Sequence, residues 1–157
     1  TLYRLAEDHS ITIVEKKLSR EDYIKILRSS DVYVSMHRSE GFGKTIVESM
    51  SNGIPTIATS YGGNMDISTH KNSILLPCDI IEIEEDIKIH DKPVYLAGNV
   101  WADPSVEVAS DSMRKLHLDK DLRKNLGEVA KENVWRMLNP TSLASKLIER
   151  LRPWKEN

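Results

Sequence analysis

The sequence predicts an α/β fold built on a doubly wound parallel sheet. Three observations predict it. Short β-branched runs alternate with amphipathic helical segments along the chain. Glycines stand where helices stop and strands turn, at Gly53 and at Gly62-Gly63. A length of 157 residues with 39% hydrophobic content suits a single buried core, so residues 1–157 read as one domain.

The elements follow in order. Leu2, Leu5 and Ala6 keep helical spacing up to the polar Asp8-His9-Ser10, and Ile11-Thr12-Ile13-Val14 then reads as a β-branched strand of the kind buried in a parallel sheet. Ser19 is placed to cap a helix with Glu21 and Asp22 in its first turn and Tyr23, Ile24 and Leu27 on one face. Val32 to Ser35 is a second strand. The loop from His37 to Gly43 leads into a helix from about Lys44 to Asn52, with Gly53 suited to the left-handed position past its end. Pro55 to Thr59 is a third strand, Gly62-Gly63 a turn, and Ser73 to Leu76 a fourth strand stopped by Pro77. Helices are expected near Ser105–Leu118, Lys120–Trp135 and Thr141–Leu151, with their Leu and Ile positions, like Met50, assigned to the core.

Residues 80–94 break this rhythm. Ile81, Ile83, Ile87 and Ile89 sit among Glu82, Glu84, Glu85, Asp86 and Lys88 in a partly alternating pattern, which reads as an inserted hairpin or arm. The plain reading is a solvated excursion without chemistry, because loop variation costs least at the surface.

Composition narrows the function classes. A formal charge of -2, from 22 basic and 24 acidic residues, provides no general footprint for nucleic acid, so none is expected as a partner. The single cysteine, Cys78, excludes an intramolecular disulfide and suits a reducing compartment, which makes the expected location cytoplasmic. No apolar run reaches the length of a membrane span. The start at Thr1-Leu2-Tyr3-Arg4-Leu5 has neither an initiator Met nor a signal-peptide core, so the chain is expected to begin inside a longer polypeptide.

The densest run of unusual residues is His37-Arg38-Ser39-Glu40-Gly41-Phe42-Gly43-Lys44-Thr45-Ile46-Val47-Glu48. It lies where a strand's C-terminal end passes through a Gly-containing loop into a helix, the edge at which open α/β sheets bind ligands. Gly41 and Gly43 allow close backbone approach, and the N–H groups of Gly43, Lys44 and Thr45 at the helix start are expected to face an anion such as a diphosphate. Glu48 could present its carboxylate to vicinal hydroxyls, as acidic groups do for ribose, while Glu40 is expected to be free in the loop to accept from sugar hydroxyls.

The run from Glu40-Gly41-Phe42-Gly43 to Glu48, followed by Ser49-Met50-Ser51-Asn52-Gly53-Ile54-Pro55-Thr56-Ile57-Ala58-Thr59 and Gly62-Gly63, resembles the E-x7-E region of glycosyltransferase family 4. With His37-Arg38-Ser39, Gly63-Asn64-Met65-Asp66, Asn72-Ser73 and Trp101-Ala102-Asp103-Pro104, the similarity runs from about Ile11 to Leu151. Those residues look like a bacterial subgroup that builds surface polysaccharides, often from mannosyl donors. The resemblance implies a Rossmann-like C-terminal half of a two-domain GT-B enzyme, with its first strand and its N-terminal acceptor domain outside this chain. It implies that Glu40 contacts the donor sugar, that the Gly41, Phe42 and Gly43 backbone lines it, that Lys44 and Thr45 sit at the diphosphate, and that Glu48 holds the ribose. The base would lie around Glu15, Lys16, Lys17 and Leu18. The implied substrate is a nucleotide-diphospho-sugar, with GDP-mannose favoured by the subgroup, and the implied acceptor is a saccharide or lipid-linked hydroxyl met through the other domain. Transfer would retain anomeric configuration without cofactor or essential metal, in an enzyme compatible with peripheral attachment to the inner face of a membrane; this fragment alone would bind donor nucleotide weakly and catalyse little or nothing.

Plainer readings stand beside these. His37 and Arg38 line the acceptor side or are satisfied locally; Asn64 and Asp66 are read as caps of the helix after Gly63 rather than substrate contacts; Trp101 and Trp154 are read as packing anchors rather than ligand platforms; Lys17 touches nucleotide or is an ordinary exposed lysine. A scaffold domain that has lost chemistry is the competing function, and a nucleotide-sugar epimerase a more distant one.

Overall fold

The computed structural model describes residues 3, 4, 6, 9 and 11–152. Its centre is a parallel sheet of three short strands in the order β1 (Tyr33–Ser35), β2 (Thr56–Thr59), β3 (Ile74–Leu76). Tyr33, Val34 and Ser35 lie opposite Thr56, Ile57 and Ala58, and Ile57, Ala58 and Thr59 opposite Ile74, Leu75 and Leu76. Every residue of β2 is buried. Adjacent side chains of a strand point to opposite faces, and here Ile57 packs with Leu76, Ala109, Leu116 and Leu126 while Ala58 packs with Ile46, Met50, Ile67, Ala130 and Val134. Two cores back to back on one strand make the sheet doubly wound, as expected.

The helices that cover the sheet start where their caps permit. In α1 (Arg20–Ser29) the Ser19 hydroxyl accepts from the Asp22 N–H at 3.1 Å. A left-handed glycine, Gly43, precedes α2 (Lys44–Ser51), and Gly53 at φ +76° follows it. Ser105 caps α3 (Val106–Leu118), Asp119 caps α4 (Lys120–Leu138), and Asn139 caps α5 (Pro140–Leu151), whose proline occupies the first turn, where its missing N–H costs nothing. Among the described residues no helix is long and apolar enough to cross a membrane.

Three expectations are corrected. Ile11 to Val14 form no strand, and Ile11 and Val14 are 59% and 49% exposed. A β-branched run becomes a strand only against a partner's ladder, and among the described residues β1 pairs with β2 alone. The arm is wider than 80–94: β4 (Cys78–Glu82) pairs antiparallel with β7 (Val100–Pro104), and β5 (Ile87–Ile89) with β6 (Lys92–Tyr95) between them. Trp101 to Pro104 therefore belong to the arm, whose charged tip masked the pairing of its base. Of the Leu and Ile of the last helices, Leu116 in α3 and Leu126 in α4 are core, but Leu118 at the end of α3 is 80% exposed and α5 buries none of its residues. A helical stripe shows that a face is apolar, not that something covers it. Trp154 lies outside the described residues.

Candidate functional site

The glycine-rich loop leaves the C-terminal end of β1 and is held from below by a histidine and an asparagine. His37 Nε2 lies 2.8 Å from the Tyr61 carbonyl and 3.2 Å from Asn64 Oδ1, and Nδ1 lies 3.0 Å from Ser35 Oγ. A carbonyl only accepts, so Nε2 carries the proton and Nδ1 accepts from Ser35. Asn64, fully buried, donates through Nδ2 to the Thr59 carbonyl at 3.0 Å. The expected helix-capping role of the Asn64 and Asp66 side chains is not what the structure has: the 3-10 turn Gly63–Asp66 has no side-chain cap, and the Asn64 amide ties the end of β2 to His37 instead. A buried amide left unpaired costs about 1–3 kcal/mol, and the Thr59 carbonyl and His37 satisfy it here. His37 takes the locally satisfied reading.

Glu40 is not free. Its Oε1 accepts from the Gly43 N–H at 2.9 Å and the Phe42 N–H at 3.3 Å. The Gly43 N–H, chiefly, holds the carboxyl below its usual range, against the opposing effect of partial burial, with Phe42, His37 and Gly41 adding to the lowering. Of the three N–H groups expected to face a ligand, that of Gly43 is thus occupied by a side chain of its own loop. Among the described residues those of Lys44 and Thr45 have no partner. The Thr45 hydroxyl accepts from Tyr33 Oη at 2.8 Å, and Gly41, Phe42 and Lys44 are exposed.

A folded-state pKa below the unfolded value contributes stability that is complete above the unfolded pKa and is lost as pH falls through the folded one. Glu40→Gln is therefore expected to lower stability relative to wild type at neutral pH. The gap should close as pH drops below the ordinary carboxylate range of about 4.3. Urea denaturation of both proteins across that range measures it, and a gap independent of pH would show that the Glu40 charge does not hold the loop.

Glu48 lies a turn further into α2 with its side chain 13% exposed, and its Oε1 meets Arg20 Nη1 at 2.6 Å. The Arg20 guanidinium lies 5.6 Å from the centre of the Tyr23 ring. Burial first, and the Glu48 carboxylate second, push the Tyr23 phenol up to about 12, and its hydroxyl is buried without a well-formed hydrogen bond. Neither Arg20 nor Tyr23 is singled out for a site by the sequence, since nothing local links positions 20 and 48. Lys17 is exposed and Leu18 half-buried, and among the described residues neither bonds to the loop.

Arg38 faces the arm rather than the loop's open side. Its carbonyl accepts from the Ala102 N–H at 2.9 Å, its Nη2 meets Asp103 Oδ1 at 2.7 Å, and its guanidinium stacks 4.6 Å over Trp101. Trp101 in turn packs against Tyr95 at 5.7 Å, which supports its reading as an anchor. On the opposite side the Gly63 N–H donates to the Glu40 carbonyl at 2.8 Å. Loop 38–43 is thus clamped between β7 and the Gly62-Gly63 turn, with α2 leading away from it.

Residues 1–133 match the family model of the glycosyl transferases group 1. The protein CapJ of Staphylococcus aureus is 38% identical over 56 residues, which are 36% of this chain and 14% of CapJ. A glycosyltransferase from Rickettsia africae superposes with a TM-score of 0.67 at 20% identity over 99% of this chain and 35% of that one. The HepE protein of Anabaena, solved in complex with UDP-glucose, does so with a TM-score of 0.60 at 18% identity over 97% of this chain and 35% of that one. The chain accordingly spans about a third of the structures and less of the curated relative. With a parallel α/β sheet of the GT-B type and a family match over most of its length, the chain belongs to the group 1 glycosyl transferases.

Proposed function

We propose that this chain is the donor-binding half of a retaining glycosyltransferase, moving a hexose from a nucleotide-diphospho-sugar to a saccharide or lipid-linked acceptor during surface polysaccharide synthesis. The observation that carries the reading is the pairing, on one strand-to-helix junction, of unpartnered N–H groups at Lys44 and Thr45 with the carboxylate of Glu48 farther along the same helix. A helix start with open N–H groups favours a diphosphate, and the Lys44 charge adds to it. That arrangement stabilises negative charge as it develops on the leaving diphosphate, with no reorganisation needed at the moment of reaction. Glu48 then accepts from the ribose hydroxyls.

Glu40 acts as a positioning group. Its Oε1 is committed to the loop N–H groups, which leaves Oε2 to accept from a hydroxyl of the donor sugar while the Gly41, Phe42 and Gly43 backbone lines it. Lys17 and Leu18 lie toward the base. Neither carboxylate is assigned a proton transfer, and no cofactor or essential metal is invoked. HepE of Anabaena, with the same fold, holds UDP-glucose, which supports a nucleotide-sugar site; the mannosyl subgroup resemblance favours GDP-mannose here. The acceptor would be met through a further domain.

Calorimetric titration of the full chain with GDP, UDP and ADP and their sugar conjugates tests this. One base is expected to be selected, and Glu48→Ala is expected to weaken its binding on the order of tenfold to a hundredfold, the cost of hydrogen bonds to a charged group. Equal affinity in Glu48→Ala, or no binding of any nucleotide at millimolar concentration, would overturn the reading in favour of a scaffold domain.

A further inference from the structure

The carboxylate assigned above to the ribose has a resident partner before any nucleotide arrives. Arg20 is the first residue of α1, directly after the Ser19 cap, and it reaches across to α2 to meet Glu48 Oε1 at 2.6 Å. The two ends of this pair differ in burial: the Glu48 side chain is 13% exposed and that of Arg20 63%. Tyr23, one turn along α1, completes the surround, its ring beneath the Arg20 guanidinium and its hydroxyl buried without a well-formed hydrogen bond.

We propose that Arg20 is a positioning residue for nucleotide recognition, clamping the Glu48 carboxylate in the orientation from which it accepts the ribose hydroxyls. The inference rests on the ribose-binding reading of Glu48. A free glutamate side chain has several rotamers to lose on binding, and a charge-assisted hydrogen bond made in advance removes that cost from the binding step. The geometry leaves capacity for the ligand: a carboxylate has roughly four lone-pair sites, and the Arg20 bond occupies one of them on Oε1. Arg20 sits two residues beyond Leu18, so the same contact fixes the end of the base-side segment 15–18 relative to α2. An ordinary surface ion pair between exposed ends contributes little. Here the largely covered Glu48 makes orientation the stronger effect.

The test compares UDP and GDP with 2′-deoxy-UDP and 2′-deoxy-GDP by calorimetry on the full chain, in wild type, Arg20→Ala, Arg20→Lys and Glu48→Ala. Wild type is expected to prefer the ribonucleotide of the base it selects by about tenfold or more, the discrimination a hydrogen bond to a charged group supports. In Arg20→Ala that ratio should collapse to about threefold or less, with partial recovery in Arg20→Lys, because the lysine keeps a donor and a charge but not the planar fork. Arg20→Ala alters a mostly exposed side chain, and an unchanged melting temperature would confirm that the variant is folded. A preserved ribo-to-deoxy ratio in Arg20→Ala, with the ratio lost in Glu48→Ala, would overturn the clamp and leave the ribose reading standing. A preserved ratio in Glu48→Ala would overturn the ribose reading itself, and the clamp with it.

Discussion

Gly63→Ala is expected to weaken the proposed nucleotide-sugar binding strongly, although Gly63 itself is assigned no contact with the donor. A Cβ at position 63 would stand 1.8 Å from the Gly41 carbonyl oxygen, 2.6 Å from the Gly41 carbonyl carbon and 3.2 Å from Phe42 Cα. All three are backbone atoms, so no side chain can rotate away, and the loop would have to withdraw by more than 1 Å. A shift of that order takes the loop N–H groups out of hydrogen-bond range of an anion, a loss of about 1.5–3 kcal/mol for a bond to a charged group, or roughly tenfold to a hundredfold in affinity. The overpacking adds roughly 1–3 kcal/mol of lost stability. Gly41→Ala is the control for folding, since a Cβ there meets nothing within 4 Å; its stability should stay within about 0.5 kcal/mol of wild type. Titration of the selected nucleotide and urea denaturation of both variants decide the matter. Wild-type affinity in Gly63→Ala would mean that the loop does not need its seat on the Gly62-Gly63 turn.

Gly127→Ala should produce the largest loss of stability outside the site. In an open helix interior this exchange stabilises by about 0.5–1 kcal/mol, because glycine loses more backbone freedom on folding. In α4 the new Cβ would lie 2.1 Å from the Gly53 carbonyl oxygen and 3.4 Å from Pro55 Cδ. The clash prevails. Displacing α4 disturbs the contacts of Ala130 and Val134 with Ile46 and Met50, at a net cost of about 2 kcal/mol, or about 4–8 °C in Tm for a domain of this size. A scanning thermal melt reads it directly. A raised Tm would show that α4 does not rest on the turn that ends α2.

Much of the fold was legible because its signals are local. Ser19, Gly43, Gly53 and Ser105 act on residues within three or four positions of themselves, and the helices start and stop where these residues indicate. The strand-to-helix junction on which the candidate site is placed was legible for the same reason. What escaped depends on partners far along the chain. Among the described residues Ile11 to Val14 has strand composition and no ladder, α5 has an apolar stripe and no cover, and the Arg20–Glu48 pair joins two helices with no pattern relating their positions. Glu40 is an intermediate case. Short-range bonds from a side chain to nearby backbone N–H groups compete with its other uses, so its bond to Gly43 had a signal. Reading it as an open ligand group set that signal aside.

The clamping of loop 38–43 bears on how such a site can be moved or redesigned. Its shape is set from outside: Ala102 in β7 holds the Arg38 carbonyl, and Gly63 holds the Glu40 carbonyl. A chimera that receives only the segment from Glu40 to Glu48 inherits the side chains and not the mould. Portability therefore belongs to a three-part cassette, the loop with its helix, the glycine turn and the base of the arm. Exchange of donor preference between related enzymes should follow that unit rather than the motif.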